Sequence, residues 1–117
     1  MQKDRATLMK LLTRSEEMLL LAIWRLQEDA YGVTIRDQLK AVSGKTWAFG
    51  ALFVSLDRLS KKGCVVSYFS DPLPQRGGRR RRMYRLTKTG RQALLDIRLV
   101  EKALWNGISE VALGYGL

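Results

Sequence analysis

One segment near the middle of the chain constrains the fold more than any other: residues 64–90, CVVSYFSDPLPQRGGRRRRMYRLTKTG. Two short apolar stretches flank a turn-rich tip, where Gly77-Gly78 permits a chain reversal because glycine adopts positive φ without steric cost. Pro72 and Pro74 stiffen the approach to that reversal. The segment predicts an antiparallel β-hairpin, which we call the arginine hairpin. A disordered basic loop is the alternative, and the strand-like flanks favour the ordered form.

The arginine hairpin concentrates positive charge. Its six arginines within ten residues are Arg76, Arg79, Arg80, Arg81, Arg82 and Arg85. The chain has 117 residues and a formal net charge of +10, and residues 45–91 hold twelve of its 21 Lys/Arg but two of its 11 Asp/Glu. Such a density of cations predicts a polyanionic partner, and a nucleic-acid backbone fits best. A membrane-surface protein would instead carry a basic amphipathic helix, which we do not find, so no membrane partner is predicted.

The residue inventory narrows the function. With no histidine and one cysteine, the chain cannot build a Cys/His zinc site, an intrachain disulfide or a histidine general base, so we predict no metal, no cofactor and no enzyme. Cys64 is interpreted as a small buried hydrophobe, with a redox sensor as the alternative. The first ten residues lack a signal-peptide core, and the longest apolar run, 18–24, is too short to cross a bilayer. We therefore expect a soluble, cytoplasmic protein of one domain.

Helical periodicity precedes the hairpin. Residues 4–12 suggest a short helix, and Thr13 with Glu16 has the capping-box spacing for a first main helix over residues 15–27. A second helix opens at Tyr31-Gly32 and ends at Ser43-Gly44. Its expected buried stripe is Ile35, Leu39 and Val42. Residues 45–49 form a connector that suggests a small strand, and Trp47 is assigned to the core rather than to a ligand.

A third helix is predicted over residues 50–62, with Leu52, Leu56 and Leu59, helped by Phe53, facing inward. Its outer stripe is small near the start and cationic near the end: Ala51, Val54, Ser55, Arg58, Lys61 and Lys62. Small residues let a helix enter a major groove while cations meet the phosphates at its edge, although a solvated helix face shows the same pattern.

The last helix follows the arginine hairpin. Thr87 is the expected N-cap, and Gly90 permits close packing one turn later. The helix is apolar on more than one side, so a second copy of the chain is the expected cover for the outer side. The residues assigned to this dimer interface are Leu94, Ile97, Leu99, Val100, Leu104 and Trp105.

Three helices and a cation-tipped hairpin give the element order of a winged helix-turn-helix, so the predicted fold class is mainly α with a small β-hairpin and a C-terminal dimerisation helix. Several short motifs, in this order and spacing, resemble the PadR family of bacterial transcriptional regulators over residues 15–95. They are Tyr31-Gly32, Gly50-Ala51-Leu52-Phe53, Leu56-Asp57-Arg58-Leu59, Lys62-Gly63, Arg76-Gly77-Gly78, Tyr84-Arg85-Leu86-Thr87 and Gly90. The layout has an N-terminal extension (1–14), a winged-helix DNA-binding domain (15–88), a dimerisation helix (89–108) and a tail (109–117).

The resemblance implies a dimeric, mostly repressive regulator of double-stranded DNA that is sometimes relieved by a small effector. Many relatives have Ser-Pro before the third helix and Thr-Leu-Tyr inside it, whereas this chain has Ala48-Phe49 and Ala51-Leu52-Phe53. Because the hydroxyl groups are absent here, the sequence preference of those relatives does not carry over.

The predicted mechanism places two third helices in successive major grooves of a palindromic operator. Ser55 and Arg58 are the candidates for base contact, with an ion pair as the alternative role of Arg58. Contacts with the DNA backbone are assigned to Lys61, Lys62 and the wing. The wing comprises Arg76, Gly77, Gly78, Arg79, Arg80, Arg81 and Arg82. An effector, if one binds, would be a small aromatic compound stacked on Trp24, Trp47 or Trp105. The competing classes are a sequence-neutral nucleic-acid binder, associated with RNA or the nucleoid, and a winged helix that binds an acidic protein.

Overall fold

The computed structural model describes residues 12–71 and 80–114. In chain order the elements are α1 (Arg14–Leu26), a 3-10 turn (Gln27–Asp29), α2 (Gly32–Ser43), α3 (Phe49–Lys61), β1 (Val65–Phe69), β2 (Arg82–Leu86), α4 (Lys88–Trp105) and α5 (Glu110–Gly114). The predicted mainly α fold with one hairpin is confirmed. The short helix predicted at 4–12 lies outside the described residues except for its last position.

The start of α1 is set by a reciprocal cap. The Thr13 hydroxyl accepts a hydrogen bond from the Glu16 backbone N–H at 3.1 Å, and the Glu16 carboxylate accepts one from the Thr13 N–H at 2.8 Å. Two N–H groups that lack partners within the helix are satisfied in this way. The predicted capping box is confirmed, and it presents Leu19, Leu20 and Ile23 to the core, where each is no more than 1% exposed.

The second helix ends as predicted, but its buried stripe is shorter. Gly44 has φ of 77°, the left-handed conformation that glycine adopts without strain, and its N–H bonds the Lys40 carbonyl at 2.8 Å. Ile35 and Leu39 are buried. Val42 is 71% exposed, so its assignment to the core is wrong. None of the described elements packs over the last turn of α2 on that side.

The third helix packs on the core through Leu52, Leu56 and Leu59, which are at most 1% exposed, as predicted. Phe53 does not belong to this stripe. It is 45% exposed and lies over Gly32, where an added Cβ would be 2.9 Å from the Phe53 ring. The connector before α3 forms no strand, and Trp47 within it packs half-buried against the core, the role assigned to it.

The hairpin strands pair antiparallel in the register Val65↔Leu86 through Phe69↔Arg82. Val65, Tyr84 and Leu86 share the face that enters the core. The sequence pattern has Val66 and Tyr68 alternating along this strand, and the register places both on the face opposite to Val65, where Val66 pairs with Arg85 and is 40% exposed. The inward face of β1 is thus the one that begins at Val65, because successive side chains alternate between the two faces of a strand. Residues 72–79, which include Pro72, Pro74 and the predicted Gly-Gly tip, lie outside the described residues.

The hairpin is attached through the edge of β2 to the turn before α2, and its base is closed by a further hydrogen bond. On the side of α2, Met83 bridges Tyr31, and the Tyr84 N–H donates to the Ala30 carbonyl at 2.9 Å. At its base, the Thr87 N–H donates to the Cys64 carbonyl at 3.0 Å. The strand β2 is therefore held in register with the turn that precedes α2, which limits how far the base of the wing can move.

The last long helix begins at the predicted N-cap. The Thr87 hydroxyl accepts from the Gly90 N–H at 3.0 Å. Gly90 packs so closely on the loop before β1 that an added Cβ would collide with the Cys64 carbonyl oxygen. The predicted role of this glycine is confirmed, and it brings the first turn of α4 against the base of the hairpin.

Candidate nucleic-acid interface

The outward face of α3 lies opposite its leucine stripe. Ala51, Val54, Arg58 and Lys61 are exposed there, and Ser55 is half-buried at the margin. The first turns of this face are small and apolar and the last turns are cationic, as the sequence predicted. No described residue covers it with a hydrogen bond or an ion pair except through Lys61, whose ammonium lies 3.1 Å from the Asp57 carboxylate.

Arg58 is the cation of this face that has no ion pair with another described residue, so the alternative of an internal pair is not supported. The partner of Asp57 is Lys61 instead, one turn further along. Both members of that pair are more than 60% exposed, so water screens it and its net stabilisation is small. Arg58 is therefore available to an external acceptor.

Lys62 differs from the other cations. Its ammonium lies 2.7 Å from a Glu16 carboxylate oxygen in a pair whose side chains are 26% and 4% exposed. Burial by itself would raise the pKa of the Glu16 carboxyl, but hydrogen bonds from Lys62 and Thr13 and the Lys62 charge outweigh it and hold that pKa below its ordinary value. Lys62 therefore holds α3 to α1, and its ammonium group is directed to Glu16 rather than to a DNA phosphate.

The described part of the wing divides its arginines between two faces. Arg82 lies on the same face of the hairpin as Tyr84: it donates to the Ser67 hydroxyl at 3.2 Å, and its guanidinium is 5.9 Å from the Tyr84 ring centre. Burial raises the pKa of the Tyr84 phenol, the Arg82 charge opposes that shift and the Asp57 carboxylate adds to it. Both charged groups are thus close enough to Tyr84 to affect its phenol.

Arg85 occupies the other face. Its guanidinium stacks 5.4 Å from the Tyr68 ring centre, within a cleft that also contains Trp24. Arg85 therefore lies on the face of the hairpin opposite to Arg82. Arg80 is exposed at the start of β2, whereas Arg76, Gly77, Gly78 and Arg79 lie outside the described residues.

Two arginines make contacts here that sequence reasoning missed. The Arg81 guanidinium lies 4.5 Å from the ring centre of Tyr31, the residue that bridges β2. Arg36 donates from Nε to the Trp47 carbonyl at 2.6 Å and covers the Phe49 ring at 4.3 Å. Arg36 thereby orients the turn between α2 and α3. Tyr31 belongs to a family motif, but nothing in the pattern links Arg36 to a carbonyl eleven residues away.

The three tryptophans have different surroundings. Trp24 is 49% exposed and lines two clefts, of about 680 and 520 Å³, one against the hairpin and one between α1 and α4. Trp105 is 47% exposed near the end of α4, and Trp47 packs on the core. Trp24 is therefore the tryptophan that lines both of these clefts.

The residues assigned to the dimer interface lie along α4. Leu99, Leu104 and Trp105 are each at least 47% exposed, and Leu94, Ile97 and Val100 are half-buried. Leu95 adds a further exposed apolar side chain, 54% accessible. These side chains span residues 94–105 of α4 and leave several large apolar groups in contact with water in a single chain.

Three further observations concern the cysteine, acidic clusters and apolar helices of the described residues. Burial raises the pKa of the Cys64 thiol, which keeps it in the unreactive neutral form. Among the residues that the structure describes, no three His, Cys, Asp or Glu side chains are grouped so that they could hold a metal ion. Nor is any helix there long and apolar enough to span a bilayer.

A helix-turn-helix whose third helix presents an open face beside a cationic β-hairpin defines a winged-helix DNA-binding protein. Residues 20–96, more than half of the chain, match the transcriptional regulator PadR-like family. The chain belongs to this family of transcriptional regulators, as the sequence motifs predicted.

Solved structures agree with that assignment. A PadR family transcription regulator from Clostridium difficile R20291 is 27% identical, with a TM-score of 0.60 over 86% of this chain and 96% of its own. A PadR-like transcription factor from Bacteroides fragilis is 25% identical, with a TM-score of 0.62 over 84% of this chain and 93% of its own. No curated protein sequence matches this chain significantly.

Proposed function

We propose that the chain is a homodimeric repressor that binds a palindromic operator in double-stranded DNA. One observation carries the proposal: the outward face of α3 is open, small at its start and cationic at its end, and β1 of the cationic hairpin packs against the same helix. We take the two together as the DNA-binding surface. A helix face that is small at its start and cationic at its end suits a major groove, and a neighbouring cationic hairpin suits the flanking backbone.

Within this surface we assign two kinds of contact. Ser55 and Arg58 read base edges, and arginine can bind guanine O6 and N7 with two hydrogen bonds. Ala51 and Val54 line the approach, and Lys61 meets phosphate. The wing residues Arg76, Gly77, Gly78, Arg79, Arg80, Arg81 and Arg82 supply affinity and register without sequence information.

We assign the interface of the homodimer to α4. Exposed leucines along one helix are stabilised when a second copy covers them, and a two-fold axis would place two α3 helices about one turn of DNA apart. Repression then follows from occlusion of the promoter by the bound dimer, which requires no contact with polymerase.

Selection from random duplexes tests the proposal. Purified protein should enrich a palindromic consensus, whereas a sequence-neutral binder retains duplexes without a consensus and a protein-binding winged helix retains none. Affinity for the consensus should fall by about 10³-fold or more between 50 and 200 mM salt if six to eight phosphates are contacted. A nearly flat salt response, or no consensus, contradicts the proposal.

Base reading and backbone binding are separable by substitution. Ser55→Ala or Arg58→Ala should change which sequences are enriched. Arg80→Ala, Arg81→Ala and Arg82→Ala should weaken binding to all duplexes alike, because guanidinium contacts with phosphate carry no sequence information.

A small aromatic effector is assigned to the clefts around Trp24. The ring is half exposed and adjoins both the hairpin and α4, so an occupant would touch the elements that hold the wing and the dimer. Titration of candidate aromatic compounds should quench tryptophan fluorescence in the wild type and less in Trp24→Phe, with Trp105→Phe as the matched control. Absence of quenching by every compound contradicts a stacking site.

A further inference from the structure

The proposed interface assigns hydrogen-bonding roles to Ser55 and Arg58, yet the outward side chain at the centre of α3, Val54, has no group that can form a hydrogen bond. Val54 is two residues from both Leu52 and Leu56, and so lies about 200° around the helix from each of these buried side chains. It is 54% exposed. The centre of the outward face is therefore a branched hydrocarbon.

The neighbours of Val54 extend this apolar character. Gly50 has open space where a Cβ would stand, and Ala51 is exposed beside it. Small residues at the start of the helix allow it to approach bases closely, and none of the three offers a side-chain donor or acceptor. Phe53, 45% exposed, borders them on the side of α2.

The chemistry of the major groove then identifies the partner. Most of its recognisable groups are hydrogen-bonding edges, and the C5-methyl of thymine is the apolar one. A hydrocarbon side chain at the centre of the face gains free energy only by burial against that methyl group. If it is placed against cytosine N4 or guanine O6, the hydrogen-bonding group of the base has no partner. We propose that Val54 reads a thymine methyl group in each half of the operator.

This inference rests on the proposed function and adds a specificity-determining residue to it. Exposure alone does not carry the assignment, since Val33 and Val42 on α2 are 49% and 71% exposed. Val54 differs because it shares one helix face with Arg58 and Lys61, four and seven residues later. A contact from Arg58 to the groove brings Val54 within reach of the bases one turn earlier.

Deoxyuridine tests the contact, since it removes the methyl group and retains every hydrogen-bonding edge of thymine. Each thymine of the selected consensus is replaced in turn, symmetrically in both half-sites, and affinity is measured by fluorescence anisotropy. At one thymine position the affinity should fall about fourfold for each half-site that carries deoxyuridine. This factor corresponds to about 0.8 kcal/mol, the contribution of one buried carbon group.

The deoxyuridine measurements are repeated with Val54→Ala, which completes a double-substitution cycle, and with Val42→Ala as the matched control. In Val54→Ala the deoxyuridine penalty at that position should fall to within about 1.5-fold of unity, because the methyl no longer has its partner. In Val42→Ala the penalty should stay as in the wild type. Circular dichroism confirms that both exposed substitutions leave the fold intact.

The outcomes separate the inference from the function beneath it. A palindromic consensus with no deoxyuridine penalty at any thymine, or a penalty that persists in Val54→Ala, overturns the assignment of Val54 and leaves the repressor proposal standing. A consensus without thymine in the half-site overturns the assignment as well. The absence of any consensus overturns the proposed function together with the inference.

Discussion

The ammonium group of Lys62 lies 2.7 Å from one carboxylate oxygen of Glu16 and 2.9 Å from the other, joining the end of α3 to the first turn of α1. The same carboxylate accepts the Thr13 N–H that begins α1. Glu16 therefore serves as helix cap and as ion-pair partner at once, and its burial makes both contacts necessary.

Lys62→Met should destabilise the fold, because it leaves a buried carboxylate without its counter-ion. We expect the free energy of unfolding to fall by about 2–3 kcal/mol, less than the largest effects for buried pairs since Lys62 keeps partial solvent access. Urea denaturation measures it. Lys61→Met removes the same charge from an exposed pair and should cost less than about 0.5 kcal/mol. Equal effects in the two variants would contradict the role given to Lys62.

Protonation of Glu16 should contribute to the pH dependence of the free energy of unfolding. Its pKa is lowered in the folded state, so its contribution is complete above the ordinary glutamate value and disappears as the pH falls through the folded value. The free energy of unfolding should therefore decline on acidification more steeply in the wild type than in Glu16→Gln, which has no carboxyl to protonate. Parallel curves for the two proteins would argue against a strongly paired carboxylate.

Gly90→Ala should be strongly destabilising, by about 2–4 kcal/mol, because the new Cβ would meet the Cys64 carbonyl and force α4 away from the hairpin. Thermal unfolding measures the effect. Gly50→Ala is the matched control: a Cβ there meets no atom within 4 Å, and a helical Gly→Ala change stabilises by about 0.5–1 kcal/mol. A tolerated Gly90→Ala would mean that the helix can move without cost.

The two faces of the wing should differ in their effect on DNA binding. Arg82→Ala should reduce the slope of log affinity against log salt by about one for each phosphate that the variant no longer binds. Arg85→Ala should leave the slope unchanged, because its guanidinium stacks on Tyr68 on the face opposite to Arg82. Anisotropy titrations at several salt concentrations compare the two variants. If Arg85→Ala lowers the slope as much as Arg82→Ala, the wing binds DNA through its other face.

Leu99→Asp should weaken the proposed dimer, since it places a charge on an apolar face that a second copy would desolvate. Leu99 is 50% exposed in one chain, so the folded monomer should tolerate the change. Analytical ultracentrifugation gives the dissociation constant, with Val42→Asp as a control on α2. A dimer that is as stable in Leu99→Asp as in the control would place the interface elsewhere.

Much of this protein follows from the sequence because the relevant interactions are local. A cap and the helix that it starts lie within three residues, so Thr13, Thr87 and the glycine after α2 could be recognised by spacing alone. The leucine stripe of α3 needs only the helical period. The charge of the arginine hairpin and its family motifs are likewise visible without coordinates.

The tertiary structure determines which of several residues that look alike in the sequence has a given structural role. Val65 rather than Val66 enters the core because the register with Leu86 selects one face of β1. Lys62 pairs with a carboxylate 46 residues away, while Lys61, its neighbour, stays on the surface. Arg82 and Arg85 differ in strand parity, so one bonds the Ser67 hydroxyl and the other stacks on Tyr68 on the opposite face. These choices depend on which chain segments meet in space, and a pattern within one segment carries no information about that meeting.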